Sequence, residues 1–153
     1  MPDTVPPEII DLARQIASEH GLEPSLVCAV IEQESAWNPW AVRYEPAFLS
    51  RYVAPLYTAG KLSATEAYMR AMSWGLMQVM GQVARESGFK EAWLSELCDP
   101  AIGIEFGCRI LAARLARAKN DVPAALLAWN GGADVNYPAE VLARQRNYSS
   151  RRA

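Results

Sequence analysis

Two glutamates that are separated by a single residue are the first candidates for chemistry in this sequence. Glu32 and Glu34 lie in "IEQESAWNPW" (residues 31–40), where an apolar segment ends. Residues two apart on a helix point about 200° apart, so the two carboxylates cannot share one site. Glu34 follows Val30 and Ile31 at helical spacing and lies near the apolar face, whereas Glu32 points toward solvent. Partial burial raises the pKa of a carboxyl group, so Glu34 is a candidate general acid.

Aromatic and amide side chains accumulate after this glutamate. Six aromatic residues lie between positions 37 and 57, in a segment with weak periodicity, and such rings suit stacking on sugar faces or filling a core under loops. The block "SWGLMQ" (73–78) combines a glycine with Gln78, whose amide can both donate and accept hydrogen bonds. The block "AWNGG" (128–132) ends a helical pattern and leaves Asn130 available to a cleft.

Other mechanisms find little support in the sequence. His20 is the one histidine and lies at a predicted helix end, so a Ser–His or Cys–His hydrolase would depend on it. Cys28, Cys98 and Cys108 form no metal-ligand pattern, although a Cys98–Cys108 bridge remains open. No phosphate-binding glycine loop or dinucleotide fingerprint is present. We therefore expect no metal ion and no cofactor.

Size and charge restrict the class of protein further. The 153 residues suit one domain, 1–153, with a core at about 8–145 and a frayed, basic C-terminal tail "RQRNYSSRRA". A net charge of −2 gives no nucleic-acid-binding surface, and no apolar window reaches the roughly 18 residues that span a bilayer. The segment "MPDTVPPEII" lacks the pattern of a secretory signal. We expect a monomer that is made in the cytoplasm without a signal peptide and acts elsewhere after release or delivery.

The predicted elements are mostly helices. Apolar residues at helical spacing, with Pro, Ser or Asp at the starts and Gly or Asn at the ends, predict helices over about 7–19, 24–34, 64–72, 83–87, 100–119, 122–129 and from 138 onward. Residues 37–62 lack this pattern, so we expect a small irregular or β-containing lobe there. The fold class is therefore mostly α (α+β), as one compact helical domain.

Taken in order, the three blocks resemble the catalytic domain of soluble lytic transglycosylases, which has a lysozyme-like fold. That family has a Glu-Ser pair ending a helix, then Gly-Leu-Met-Gln, then Ala-Tyr-Asn-Ala-Gly, and this chain has Glu34-Ser35, "GLMQ" and "AWNGG". The resemblance implies that Glu34 cleaves the β-1,4 bond between N-acetylmuramic acid and N-acetylglucosamine in peptidoglycan, first as acid and then as base. It also implies a set of substrate contacts, with Met77 on the cleft wall: Ser35, Arg43, Ser73, Met77, Gln78, Trp129, Asn130 and Tyr137.

Two positions depart from the family pattern. A serine often lies nine residues after the family's glutamate, and Arg43 takes that place here. The tyrosine of the third block, which in the family can hydrogen-bond the glutamate, is Trp129, and an indole donates but cannot accept. Tyr137 is a candidate to supply the missing hydroxyl group.

The segment "AVRYEPAFLSRY" together with "SWGLMQVMG" also resembles the N-acetylmuramidases of bacteriophage endolysins. In that comparison Glu45 could hold a water for inverting hydrolysis, if it lay roughly 6.5–9.5 Å from Glu34. An ion pair between Glu45 and Arg43 or Arg51 is the plainer interpretation. Three hypotheses follow: a lytic transglycosylase using Glu34 alone, a muramidase using Glu34 and Glu45, and a non-catalytic peptidoglycan-binding module.

Overall fold

The computed structural model describes residues 5–149, which form a mainly helical domain with one small sheet. This confirms the predicted fold class. The longer helices are α1 (Pro7–Glu19), α2 (Pro24–Ser35), α7 (Pro100–Arg117), α8 (Val122–Trp129) and α9 (Tyr137–Ser149). The shorter ones are α3 (Pro46–Phe48), α4 (Ala54–Thr58), α5 (Ala64–Arg70) and α6 (Gly81–Glu86), with a π-helical turn at Leu49–Val53 and a 3₁₀ helix at Leu94–Cys98.

Local capping explains where several of these helices begin. Ser63 Oγ accepts a hydrogen bond from the Glu66 amide at the start of α5. Asp99 and Asp121 cap α7 and α8 in the same way, and a proline occupies the first turn of each of these two helices. A side-chain oxygen at this position satisfies a backbone donor that the helix itself cannot, and proline's fixed φ suits the first turn.

Helix α2 runs through the middle of the domain. Every residue from position 25 to position 31 is buried, and the helix packs against α1 on one side and α9 on the other. An element that is apolar on all sides can only be stable inside a core. The end of this central helix, which carries the candidate glutamate, is therefore held in place by its neighbours.

The sheet has three antiparallel strands in the order β1 (Val42–Tyr44), β2 (Met72–Trp74) and β3 (Val79–Met80). In its register, Arg43 lies opposite Ser73, and Ser73 lies opposite Met80. The predicted lobe at 37–62 thus contributes one strand, while the other two come from the block at 73–78 and its flanks. The rest of the lobe is more helical than expected, since residues 46–58 form α3, the π-helical turn and α4 in succession.

This helical part of the lobe has a small core of its own. Val53, Ala67 and Ala71 are buried together, apart from the main core, and are packed by Phe48, Leu49 and Leu62. Separate satellite cores of this kind commonly form beneath long connections. The helical part of the lobe is therefore an ordered connection between β1 and α5.

The C-terminal segment is also more ordered than predicted. Helix α9 continues to Ser149, and Tyr148 within it is buried. A frayed tail was expected from residue 144, and this is wrong for residues 144–149, which are helical. Residues 150–153 lie outside the described part of the chain, as do residues 1–4 of the N-terminal segment.

All three cysteines are buried and free, so the Cys98–Cys108 bridge is not formed. Burial raises the pKa of Cys28 to about 11 and that of Cys108 to about 12, and both thiols stay protonated at neutral pH.

His20 lies at the C-terminal end of α1, and its Nε2 is 2.8 Å from Glu105 Oε2. Within residues 5–149, no helix has the length and apolar character needed to cross a bilayer.

Candidate active site

Glu34 is the next-to-last residue of α2, and the chain turns sharply after it. Ala36 and Trp37 both adopt positive φ values, 49° and 66°, which lead the backbone away from the helix axis. Non-glycine residues rarely adopt this conformation, and packing must hold them there. Trp37 supplies that packing because its ring is buried in the main core. The turn leaves Glu34 partly buried at the edge of the core.

Two donors from the C-terminal half of the chain bind the same carboxylate oxygen. Tyr137 Oη lies 2.6 Å from Glu34 Oε1, and Trp129 Nε1 lies 3.1 Å from it. Tyr137 therefore makes the hydroxyl contact for which the sequence suggested it as a candidate. In the part of the chain that the structure describes, no protein group bonds to Glu34 Oε2. One oxygen is thus fixed by the protein, and the other has no protein partner among the described residues.

Burial raises the pKa of Glu34 above its ordinary value of 4.5. The hydrogen bonds from Tyr137 and Trp129 and the positive charge of Arg43 oppose this shift without cancelling it. Burial also raises the pKa of Tyr137, and the Glu34 charge raises it further, so the phenol keeps its proton and acts as a donor. A carboxyl group with a raised pKa keeps its proton to higher pH than an exposed one and can transfer it to a bound oxygen atom.

A tight turn at 75–78 lies against the end of α2. Gly75 (φ 71°) and Gln78 (φ 51°) both have positive φ, and any side chain at position 75 would collide with the Leu97 carbonyl. Ser35 Oγ donates to the Leu76 carbonyl at 2.8 Å, which joins the turn to the residue after Glu34. The Ser35 hydroxyl group thus has a structural partner, and its contact with a substrate stays a prediction.

Gln78 uses its amide mainly inside the protein. Its Nε2 donates to the carbonyls of Ala41 (2.9 Å) and Gly75 (3.0 Å), and its Oε1 accepts from Ser73 Oγ at 2.8 Å. Both amide hydrogens have partners, so substrate contact is left to the remaining lone pair of the oxygen. Ser73 is only 2% exposed, which excludes the direct substrate contact predicted for it.

Met77 is not a cleft-wall residue, contrary to the prediction. It is 0% exposed and packs against α7, where a Cβ added to Gly107 would collide with it. The apolar side chain fills the core beneath the turn, as its hydrophobicity alone would favour.

Asn130 caps the C-terminal end of α8. Its Oδ1 accepts a hydrogen bond from the Asp134 amide at 2.7 Å, which fixes the loop that leads to Tyr137.

Arg43 and Glu45 form a surface ion pair. Arg43 Nε lies 2.6 Å from Glu45 Oε1, and the arginine side chain is 68% exposed. Arg43 is close enough to Glu34 to lower the pKa of that carboxyl group. Glu45 is thus engaged by a cation, which agrees with the plainer of the two interpretations made from the sequence.

A hydrogen-bonded chain around Glu32 was not predicted. Trp37 Nε1 donates to Tyr148 Oη at 2.9 Å, and Tyr148 Oη donates to Glu32 Oε2 at 2.7 Å. Glu32 is therefore half-buried and bonded, and the expectation of a solvated side chain is wrong. No motif marks this network, since the one sequence signal is a tyrosine within the basic segment "RQRNYSS".

The aromatic residues divide into core and surface groups. Trp37 and Trp74 are buried, so the core-filling interpretation holds for them. Trp40 is 75% exposed, and other rings also remain accessible near β1 and the lobe: Tyr44, Tyr52, Tyr57 and Tyr68.

Among residues 5–149, no group of three or more His, Cys, Asp or Glu side chains is arranged as a metal site.

A mainly helical domain with a small antiparallel sheet, in which one partly buried glutamate ends the central helix, defines the lysozyme-like class. Within that class, the chain belongs to the transglycosylase SLT domain family, whose match covers residues 11–149. The membrane-bound lytic murein transglycosylases C of Actinobacillus pleuropneumoniae serotype 5b (strain L20) and serotype 3 (strain JL03) are each 43% identical to this chain over 54 residues. That segment is 35% of this chain and spans only 14% of the relatives' length. No solved structure gives a significant match.

Proposed function

We propose that this chain cleaves the β-1,4 bond between N-acetylmuramic acid and N-acetylglucosamine in peptidoglycan, as a lytic transglycosylase with Glu34 as its one catalytic carboxyl group. The observation that carries the proposal is the environment of Glu34, where burial raises its pKa and two donors hold Oε1. Family membership supports the reaction class. The name of the aligned relatives, lytic murein transglycosylase, points to the same chemistry.

In the first step, protonated Glu34 donates its proton from Oε2 to the glycosidic oxygen. The C1–O bond of the muramic residue breaks, and the N-acetyl oxygen of the same sugar stabilises the positive charge at C1. In the second step, the Glu34 carboxylate takes the proton of the C6 hydroxyl group as that oxygen bonds to C1. The product is a 1,6-anhydro sugar, no water is consumed, and Glu34 ends in the protonated form with which it began.

The raised pKa of Glu34 suits both steps, since each cycle starts and ends with a protonated carboxyl group. Tyr137 and Trp129 bind Oε1 in either protonation state, because a carboxyl oxygen accepts hydrogen bonds when it is neutral and when it is charged. This arrangement orients the remaining oxygen toward the bound sugar. Glu34 can therefore act twice without a second carboxylate.

The hydrolytic alternative requires Glu45 to activate a water molecule. The ion pair opposes that role, because it commits one carboxylate oxygen of Glu45 to Arg43 at 2.6 Å. We therefore favour the transglycosylase over the muramidase of the endolysin type. The non-catalytic binding module is the less favoured outcome because such a module would not need the Glu34 environment described above.

Mass analysis of the muropeptides released from purified sacculi tests the proposal. Products that end in 1,6-anhydromuramic acid are expected from the wild-type protein, whereas reducing ends would indicate a hydrolase. Glu34→Gln should abolish cleavage while the protein stays folded, and activity near that of the wild type would refute the role of Glu34. Absence of cleavage by the wild-type protein on any peptidoglycan would favour the binding module.

A further inference from the structure

A small cavity near Glu34 is lined by the cationic side chain of Arg114. The cavity has a volume of about 60 Å³ and lies between the β3–α6 segment, α7 and α8. Trp129 forms part of its wall, and the same indole donates to Glu34 Oε1. Gln78 lines the cavity as well. A ligand group placed here would therefore lie beside the reacting carboxyl group, separated from it by one indole ring.

Arg114 is the charged residue of this cavity. The side chain projects from α7, is half-buried, and its Nε is buried without a hydrogen-bond acceptor from the protein. Within residues 5–149, no carboxylate forms an ion pair with it. A desolvated donor on a permanent cation is costly unless an acceptor reaches it.

Two other half-buried arginines, Arg70 and Arg85, are paired with a carboxylate. Arg70 Nε and Arg85 Nε both bond to Glu66 Oε1, at 2.8 Å and 2.7 Å, and Arg85 also donates to the carbonyls of Phe89 and Glu91. Within residues 5–149, Arg114 forms no ion pair, and its side chain lines the cavity.

The lining of the cavity suits a small ligand group that has one apolar part and one hydrogen-bond acceptor. Val79, Val83 and Ile110 offer apolar surface, and Arg114 offers charged donors. A guanidinium group binds a carboxylate best and a carbonyl oxygen less strongly. A short acyl group would suit this lining, with a methyl group against the apolar wall and a carboxyl-derived oxygen at the arginine.

We propose that Arg114 binds the carboxyl-derived oxygen of the lactyl arm of a muramic acid residue, with the lactyl methyl group against the apolar wall. This inference rests on the proposed function, because it assumes a peptidoglycan strand in the cleft. The lactyl oxygen is a carboxylate on a bare strand and an amide carbonyl where a peptide stem is attached. N-acetylglucosamine has no such arm, so the contact would fix which sugar lies beside Glu34.

Binding measurements in the inactive Glu34→Gln background test the proposal without cleavage of the ligand. Three tetrasaccharides serve as probes for calorimetry: a bare muramic-acid-containing fragment, the same fragment with peptide stems, and chitotetraose, which has no lactyl arm. Arg114→Met removes the charge and keeps an apolar side chain. Arg117→Met, at an exposed position of the same helix, is the matched control.

We expect Arg114→Met to weaken binding of the bare fragment by about tenfold or more, and binding of the stem-bearing fragment by less, because a charged hydrogen bond exceeds a neutral one. Affinity for chitotetraose should not change, and Arg117→Met should bind all three probes like its parent. Arg114→Lys, which keeps the charge, should recover part of the affinity for the bare fragment. If thermal unfolding shows that Arg114→Met is not properly folded, Arg114→Lys still tests the proposal.

Equal weakening for chitotetraose would overturn the proposal in favour of an N-acetyl contact or a structural role. Unchanged affinity for all three probes would overturn it in favour of a cavity that holds only water. The proposed function is tested separately, by cleavage of sacculi with a protein that retains Glu34. If Arg114→Met with Glu34 intact cleaves normally and binds normally, only the inference about Arg114 fails.

Discussion

Tyr137 Oη and Glu34 Oε1 lie 2.6 Å apart, although the two residues are 103 positions apart in the sequence. The contact joins the end of the central helix α2 to the start of α9, the two helices that pack side by side through the domain. Because the phenol pKa is raised, Tyr137 donates and does not titrate near neutral pH. The Glu34 carboxyl group is thus oriented by the packing of two helices against each other.

The first prediction concerns the stability of Glu34→Gln. Burial raises the folded-state pKa of Glu34, so its contribution to stability is fully present below the ordinary value of 4.5 and is lost as pH rises through the folded pKa. Glutamine avoids burial of a charge and can still accept from Tyr137 and Trp129. The variant should be more stable than the wild type at neutral pH by roughly 0.5–2 kcal/mol.

Urea unfolding of the two proteins at pH 4 and pH 8 measures this effect. The stabilisation should be present at pH 8 and small at pH 4. Equal stabilisation at both pH values would show that the gain does not come from the ionisation of Glu34, and a loss of stability at pH 8 would contradict the sign of the pKa shift.

The second prediction concerns Tyr137→Phe and the pH dependence of cleavage. The Tyr137 hydrogen bond lowers the pKa of Glu34, so its removal should raise that pKa further. Because the proposed mechanism begins with a protonated Glu34, the alkaline limb of the pH–rate profile should move to higher pH. The maximal rate should fall by about tenfold, since loss of one hydrogen bond of ~1.4 kcal/mol has that effect on a rate.

Tyr68→Phe is the control for this experiment, because Tyr68 is an exposed tyrosine on α5. Its profile should match that of the wild type. A slower Tyr137→Phe enzyme whose alkaline limb stays in place would indicate that Tyr137 serves packing and does not tune Glu34.

How far the sequence predicts this structure depends on whether a feature is local. The starts of α5, α7 and α8 were predicted because Ser63, Asp99 and Asp121 cap their own helices within three residues. Glu34 was separated from Glu32 by helical spacing alone. Such signals lie within one or two turns of chain, so a single sequence carries them.

The features that were missed depend on distant contacts. The bond from Tyr148 to Glu32 spans 116 positions, and no periodicity of either segment indicates it. Ser73 pairs with Arg43 in the sheet, and its hydroxyl group is buried there. From the sequence, β-structure was expected only at residues 37–62. The inward position of Met77 depends on Gly107, thirty positions further along, leaving room for its sulfur. Packing partners of this kind are chosen by the whole fold.

The third prediction concerns Tyr148→Phe, which removes the hydroxyl group between Trp37 and Glu32. The buried Trp37 indole and the partly buried Glu32 carboxylate each lose a partner, and such a loss costs about 1–3 kcal/mol for each group left unsatisfied. The free energy of unfolding should fall by an amount of that order, whereas cleavage of sacculi by the folded enzyme should change little. Chemical denaturation combined with an activity assay well below the midpoint separates the two effects, and unchanged stability would mean that water replaces the hydroxyl group fully.

The fourth prediction concerns the indole donor. Trp129→Phe keeps an aromatic ring on α8 but removes the 3.1 Å hydrogen bond to Glu34 Oε1. Since that bond lowers the pKa of Glu34 less than the Tyr137 bond does, the alkaline limb should shift in the same direction as in Tyr137→Phe, by a smaller amount. Trp93→Phe, at an exposed tryptophan, controls for the loss of an indole as such. A larger shift than that of Tyr137→Phe would reverse the order of the two donors.

The last prediction concerns Glu45, on which the choice between the two reactions depends. Exposed ion pairs contribute about 0–1 kcal/mol, so Glu45→Gln should leave stability nearly unchanged. If Glu45 has no catalytic role, the variant should cleave sacculi within about threefold of the wild-type rate and still release anhydro ends. A general base contributes typically 10²–10⁴-fold, so a loss on the order of a hundredfold, together with reducing ends from the wild type, would establish the hydrolytic mechanism instead. Rates and product masses measured on the same digests decide between these outcomes, because a stability effect alone would change neither the products nor the ratio of anhydro to reducing ends.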